Sequence, residues 1–278
     1  MPDRPFAISV LVSPAKPGDN VALQTLVREL AQDPTVGFES RDSGIALYGD
    51  TECDMEQFFI RLRDAAPFPL SAGAPAVQYR ETLMHSVVTD HSHRSSIEGR
   101  DAVASVKLAF APRERGTGFI FSSQTELRED LAASVEHVIA QEKEEGLLYG
   151  FPLIDFHASL IEATYREAGA NEEMFAQATR AAFRKLAPSG AIWLMEPVLL
   201  VRVPVLDEFA DAAIADLIER CGKILDVEDT DTAKRIRALV PASNMFGYIN
   251  VIMPLARERA RYDAVFDHYA PVPAERRA

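Results

Sequence analysis

Phe6-Ala7-Ile8-Ser9-Val10-Leu11-Val12 is a short apolar run that stops at Pro14. Its length suits a buried strand, and the order of elements after it decides the fold. Residues 20–31 place Leu23, Leu26, Val27 and Leu30 on one face of a helix. Two strands then flank a turn at Asp42-Ser43-Gly44, where glycine supplies positive φ. A second helix starts at Thr51 or Glu52 and carries Met55, Phe58, Phe59 and Leu62 inward, and a short strand fits residues 68–70. The order β-α-β-β-α-β is the split βαβ, or ferredoxin-like, unit.

Working outward, the same order returns at the other end of the chain. Residues 198–203 read as a strand, and 207–220 as an amphipathic helix through Phe209, Ala213, Ile214, Leu217 and Ile218, stopped by Gly222. Strands at 224–227 and 235–240 pair across Asp229-Thr230-Asp231; a helix at 243–251 and a strand at 262–268 complete the unit. The middle differs. It holds strands at 77–83, 103–110 and 118–121, a long helix at 127–145, a strand at 151–161 and a helix at 171–186. The expected domains are therefore 1–74, 75–197 and 198–278, an α+β chain with two ferredoxin-like domains flanking a mixed α/β domain.

Length and composition agree with this division. The 278 residues are 47% hydrophobic and 26% charged, enough apolar material for several small cores. The net charge of −13 repels nucleic acid at long range and argues against a DNA-binding role. Cys53 and Cys221, far apart and beside apolar residues, read as buried thiols and not as a disulfide. No run reaches transmembrane length and the first residues lack a signal-peptide pattern, so no membrane partner and a cytoplasmic location are expected.

Five further stretches carry a resemblance. Pro75-Ala76-Val77-Gln78-Tyr79-Arg80-Glu81-Thr82 resembles the P-x-V-x-Y-R-E-T opening of domain IV in elongation factor G. Gly150-Phe151-Pro152-Leu153-Ile154-Asp155 resembles the family's G-F-P-V-V-D strand, and Leu194-Met195-Glu196-Pro197 its L-E-P exit. Pro241 with Met245-Phe246-Gly247-Tyr248 resembles the P-x-x-x-M-F-G-Y helix of domain V; Phe266-Asp267-His268-Tyr269 resembles the terminal F-D-H-Y. The first block resembles domain III more loosely, through Ala31-Gln32-Asp33-Pro34-Thr35 and through Gly49, Glu52 and Glu56. The resemblance implies ferredoxin-like domains III and V around a domain IV that enters the ribosomal decoding site and mimics a tRNA arm.

Several departures set expectations about function. No G-x-x-x-x-G-K-[ST] loop occurs; Gly222-Lys223-Ile224 is the nearest approach and lacks the phosphate cradle. The resemblance then implies a factor without its GTPase, not an enzyme and without cofactors, cut loose or paired with a separate GTPase or other translation protein. The first tip loop of domain IV keeps only Gly99 and Arg100 of the family's glycine-rich run. The second reads Tyr165-Arg166-Glu167-Ala168-Gly169-Ala170-Asn171, with Arg166 where the family has histidine. In domain V, Met253-Pro254-Leu255-Ala256-Arg257-Glu258-Arg259-Ala260 replaces a small, flexible segment.

The candidate contacts to ribosomal RNA and proteins are accordingly His93, Arg94, Arg100, Tyr165, Arg166, Glu167 and Asn171 at the tip. Arg257, Arg259 and Arg261 would share one face of an extended segment, aided by Lys234, Arg235 and Arg237. His91 and His93 face the same side of a strand but lack a third metal ligand, so no metal is expected. Glu142-Lys143-Glu144-Glu145 reads as a solvated helix end, and no nucleophile–base pair is placed beside Asp155 or Glu162. The alternative to ribosome binding is a protein-interaction module that keeps the fold and has lost the RNA role.

Overall fold

The computed structural model of the chain describes residues 4–30, 35–97, 100–166, 171–229, 233–255 and 262–276. They form two compact units, one of residues 1–78 and 196–270, the other of 79–195 and 271–278.

The first unit begins with β1 (Ile8–Pro14), α1 (Asn20–Leu30), β2 (Gly37–Arg41), β3 (Gly44–Gly49), α2 (Glu52–Ala65), β4 (Leu70–Ala72) and the short β5 (Ala76–Val77). The sheet order is β2-β3-β1-β4, with the two ends of the repeat meeting at the central β1. α1 buries Leu23 and Val27, and α2 buries Met55, Phe58 and Leu62, against the sheet. Each such side chain contributes roughly 1.5–3 kcal/mol. Thr51 caps α2 by accepting from the Asp54 N–H at 3.1 Å. Gly44 answers a close approach, since a Cβ there would lie 2.2 Å from the Val12 carbonyl oxygen. The apolar run at 6–12 enters the sheet two residues later than its composition suggests, because Ala7 N–H is taken by the Asp50 carboxylate at 3.1 Å.

The second unit holds β6 (Arg80–Leu83), β7 (Val87–Ile97), β8 (Arg100–Pro112), β9 (Ile120–Ser123), α3 (Glu129–Glu145), β10 (Leu153–Ile154), β11 (Phe156–Tyr165) and α4 (Glu172–Arg184). Its main sheet runs β7-β8-β11-β9, with β9 parallel to β11 across the α3 crossover. One face carries Ala104, Val106, Leu108, Phe110, Phe156 and Leu160, which pack beneath α3 and α4 with Phe175 and Phe183 of α4 in one core. The other face is open and polar.

Three buried carboxylates shape this unit. Glu81, 0% exposed, accepts N–H donors from Leu147, Leu148, Tyr149 and Phe151, so the loop after α3 wraps around it. Asp155 sits at φ 55° and accepts from Gly116 N–H at 3.0 Å and Gly118 N–H at 2.8 Å. The single strand expected at 151–161 is broken there into β10 and β11. The solvated reading of Glu142 is also corrected. It is buried between α3 and α4, with Arg180 Nε at 2.6 Å and Arg184 Nε at 3.1 Å.

The long β12 (Ile192–Leu206) spends residues 192–195 in the second unit, beside β6, and 198–206 in the first, beside β14. The first unit then resumes with α5 (Ala210–Glu219), β13 (Lys223–Asp229), β14 (Ala233–Pro241), α6 (Tyr248–Leu255) and β15 (Asp263–Pro271). β13 pairs β14, β14 pairs β12, and β12 pairs β15, the same order as in the first repeat. Leu199, Val201, Leu217 and Tyr248 join Val10, Leu23 and Phe58 in one buried cluster, and Gly247 N–H donates to Glu52 at 2.7 Å. Both repeats are thus split βαβ units flanking a mixed α/β domain, as expected.

Local differences have local causes. The helix expected over 243–251 is a 3-10 turn, Ala242–Asn244, followed by α6, because Gly247 at φ 70° interrupts it. The stop after α5 is set by Cys221, at φ 60°, whose successor Gly222 donates to the Leu217 carbonyl at 2.8 Å. Cys221 is exposed and Cys53 half-buried, so neither is the buried thiol expected. The turn at Thr230 and Asp231 and the Ala31–Pro34 motif residues lie outside the described residues.

Candidate nucleic-acid interface

The strands β7, β8 and β11 bring most of the tip candidates to one end of the second unit. Arg94 stands opposite Val103 on β8, and Arg166 N–H donates to the Val103 carbonyl at 3.0 Å on the other side. Arg94, Val103 and Arg166 therefore form one cross-strand row. His93, Ala104 and Tyr165 form the next. Neighbouring rows point to opposite faces, so the histidine and tyrosine turn toward α4, and the two arginines toward the open face. Both arginines are exposed and about 10 Å apart, two strand widths.

The remaining candidates divide. Tyr165 packs edge-on against Phe175, ring centroids 6.1 Å apart, so its ring is partly committed to the core. Asn171 Oδ1 accepts from Met174 N–H at 2.9 Å and caps α4. Arg100 opens β8 opposite Ile97, its side chain outside the described residues. Glu167, Arg257, Arg259 and Arg261 lie wholly outside them. Lys234, Arg235 and Arg237, offered as helpers, each face acids: Asp207 and Asp229 for Lys234, Glu228 for Arg235, and Asp226 for Arg237. Their charge is largely spent within the sheet.

Arg128, missed in the sequence, stands at the start of α3 and is exposed at the same end, bonded to Asp130, with Tyr165 and Glu172 close enough to raise its pKa further. Only a placed α3 could have found it, since 37 residues separate it from Tyr165 and helical periodicity says nothing about its neighbours.

Other titratable clusters on this unit are structural in arrangement. His91 lies in the middle of β7 with its pKa lowered, first by burial and then by Lys185 and His93. Among the described residues, no group of three or more His, Cys, Asp or Glu side chains is arranged to hold a metal. On the open face, Ser122 Oγ lies 2.9 Å from His157 Nε2 and 3.1 Å from Ser159 Oγ. Lys107 Nζ donates to Glu162 at 2.7 Å, which raises the lysine pKa.

Two split βαβ units, one before and one after a mixed α/β domain in the chain, are the element order of the C-terminal domains of a translation elongation factor. Residues 75–190 match the family described as elongation factor G, domain IV, and 193–278 match elongation factor G C-terminus. The chain belongs to the elongation factor G family through these C-terminal domains. It is 32% identical over 271 residues to elongation factor G of Orientia tsutsugamushi (strain Ikeda), covering 95% of this chain and 38% of that protein. It is 31% identical over 272 residues to elongation factor G of Anaplasma phagocytophilum (strain HZ), covering 96% and 39%. The chain thus spans under half the length of these relatives. A crystal structure of a Thermus thermophilus protein, ttk003000868, shares the fold, with TM-score 0.75 and 24% identity over 99% of this chain and 42% of that one.

Proposed function

We propose that this chain is a translation-related, ribosome-binding protein that uses the end of its domain IV as an RNA probe. The observation that supports this most is the cross-strand row of Arg94 and Arg166 at the end of β7 and β11. In a chain of net charge −13, two exposed arginines in one row at a sheet end form a local cationic point suited to phosphate. Phosphate contacts position a protein on RNA without reading sequence. Arg166 supplies a fixed cation, and the guanidinium can hold phosphate oxygens through two parallel N–H bonds.

The 278 residues contain no phosphate-cradling nucleotide loop. In this proposal, GTP hydrolysis is not carried by them, and any nucleotide-driven step belongs to another domain or protein. Binding and shape are their contribution.

The test is a ribosome-binding titration over a salt series with Arg94→Ala and Arg166→Ala. Each loss is expected to weaken binding and to lower the salt slope by about one released counterion. Unchanged affinity and slope in both variants would remove the tip from the interface. Partners that survive RNase treatment would instead favour the protein-interaction reading.

A further inference from the structure

Behind the arginine row, the open face of the second unit's sheet carries two further cross-strand rows. Ser92, Ser105 and Thr164 stand side by side on β7, β8 and β11, and Asp90, Lys107 and Glu162 follow on the same three strands. These rows lie two and four residues along from Arg94 and Arg166, so their side chains share the arginines' face. Successive rows on one face are about 7 Å apart. A groove of about 410 Å³ runs over the two rows.

The middle row consists of hydroxyls with bonding capacity to spare. Ser105 Oγ donates to Ser92 Oγ at 2.8 Å, which leaves the Ser92 hydroxyl hydrogen free to donate. Thr164, exposed like Ser92, makes no side-chain hydrogen bond among the described residues. The third row is acidic on balance. Lys107 is spent on Glu162 at 2.7 Å, and Asp90 on the other side of Lys107 is exposed.

The face therefore grades from cation through hydroxyl to anion. A phosphate belongs on the arginines and is repelled by the third row. The sugar attached to that phosphate then lies over the hydroxyls, and the carboxylates beyond accept N–H groups from the edge of the base. An edge used in this way is unpaired, so the strand is single. Ribose offers the hydroxyl row a 2′-OH that both donates and accepts, and deoxyribose has none. We infer that the open face holds single-stranded RNA by its ribose, with Ser92, Ser105 and Thr164 reading the 2′-hydroxyl and so choosing RNA over DNA. This rests on the arginine row binding phosphate, as proposed above, and adds to it a means of telling the two nucleic acids apart.

Fluorescence anisotropy of the full chain tests it at low salt, with labelled oligouridylate of about ten nucleotides and its deoxyuridine counterpart, which differ only in the 2′-hydroxyl. The RNA should bind about three- to tenfold tighter, the worth of one net hydrogen bond. Ser92→Ala with Thr164→Val changes two exposed positions, and valine keeps the shape of threonine. This double variant should bring the two affinities within about twofold and leave the salt slope as it was, whereas Arg94→Ala should weaken both oligonucleotides alike and lower that slope. Equal binding of RNA and DNA by the unaltered chain, or a ribose preference that survives the double substitution, would overturn this inference and leave the arginine row standing. Failure of both oligonucleotides to bind at low salt would overturn the arginine row and this inference with it.

Discussion

Glu81→Gln should be among the most damaging conservative substitutions in the second unit. The carboxylate is fully buried and accepts from Leu147 N–H at 2.8 Å, Tyr149 N–H at 2.7 Å, Leu148 N–H at 3.2 Å and Phe151 N–H at 3.4 Å. Glutamine keeps the shape but turns one oxygen into an NH2 group. Whichever oxygen is lost, a short N–H then faces another donor. A buried unpaired donor costs about 1–3 kcal/mol, and the surviving bonds fall from charged to neutral strength, roughly 1 kcal/mol each. Removing the charge also relieves the desolvation of the carboxylate, which offsets part of the loss. The net expectation is about 2–4 kcal/mol, a large share of the usual 5–15 kcal/mol. Trp193, the single tryptophan, stands opposite Thr82 next to Glu81, so its fluorescence reports on this site directly. Urea melts of the two proteins followed at Trp193 give the difference. A midpoint shift worth less than about 0.5 kcal/mol would refute the reasoning, since the loop would not then depend on the charge.

Glu142→Ala should cost about 1–2 kcal/mol in the same melt, because Arg180 and Arg184 lose a shared buried acceptor but can turn to water. Cys221→Gly should stabilise the protein by about 0.5–1 kcal/mol, since glycine adopts φ 60° without a Cβ penalty; unchanged or lower thermal stability would argue against strain at that position. His91 has a lowered pKa in the fold, so the unfolded chain binds its proton first on acidification. Its contribution is whole above its ordinary value of 6.5 and is lost as pH falls below that toward the depressed folded value. His91→Gln should flatten the decline of the melting temperature between about pH 7 and pH 5. Ellman's reagent should modify exposed Cys221 faster than half-buried Cys53 in the native protein, which Cys221→Ser identifies by removing the fast phase.

The two split βαβ repeats were legible because their signals are local. Leu23 and Val27, or Ala213 and Leu217, announce a helix face whatever the neighbouring chain does. The roles of Glu81, Asp155 and Glu142 were hidden for the opposite reason. Each carboxylate is buried by partners far away in sequence, such as Arg180, 38 residues from Glu142. Periodicity and charge alone therefore leave Glu142 in solvent and give Asp155 no part in the fold. At the candidate interface, the resemblance to the family's tip loops was enough to suggest His93, Arg94 and Tyr165, but only register shows that Arg94 and Arg166 share a row. The capping role of Asn171 was hidden because capping depends on where the helix starts. The difference lies in one residue, since α4 begins at Glu172.

Whether the chain meets ribosomes at all is the most direct question. Purified protein should be pelleted through a sucrose cushion with bacterial ribosomes at low salt and be released progressively as salt rises, because phosphate contacts exchange with counterions. Protein that remains in the supernatant at every salt concentration, while intact elongation factor G pellets beside it, would contradict a ribosome-binding role.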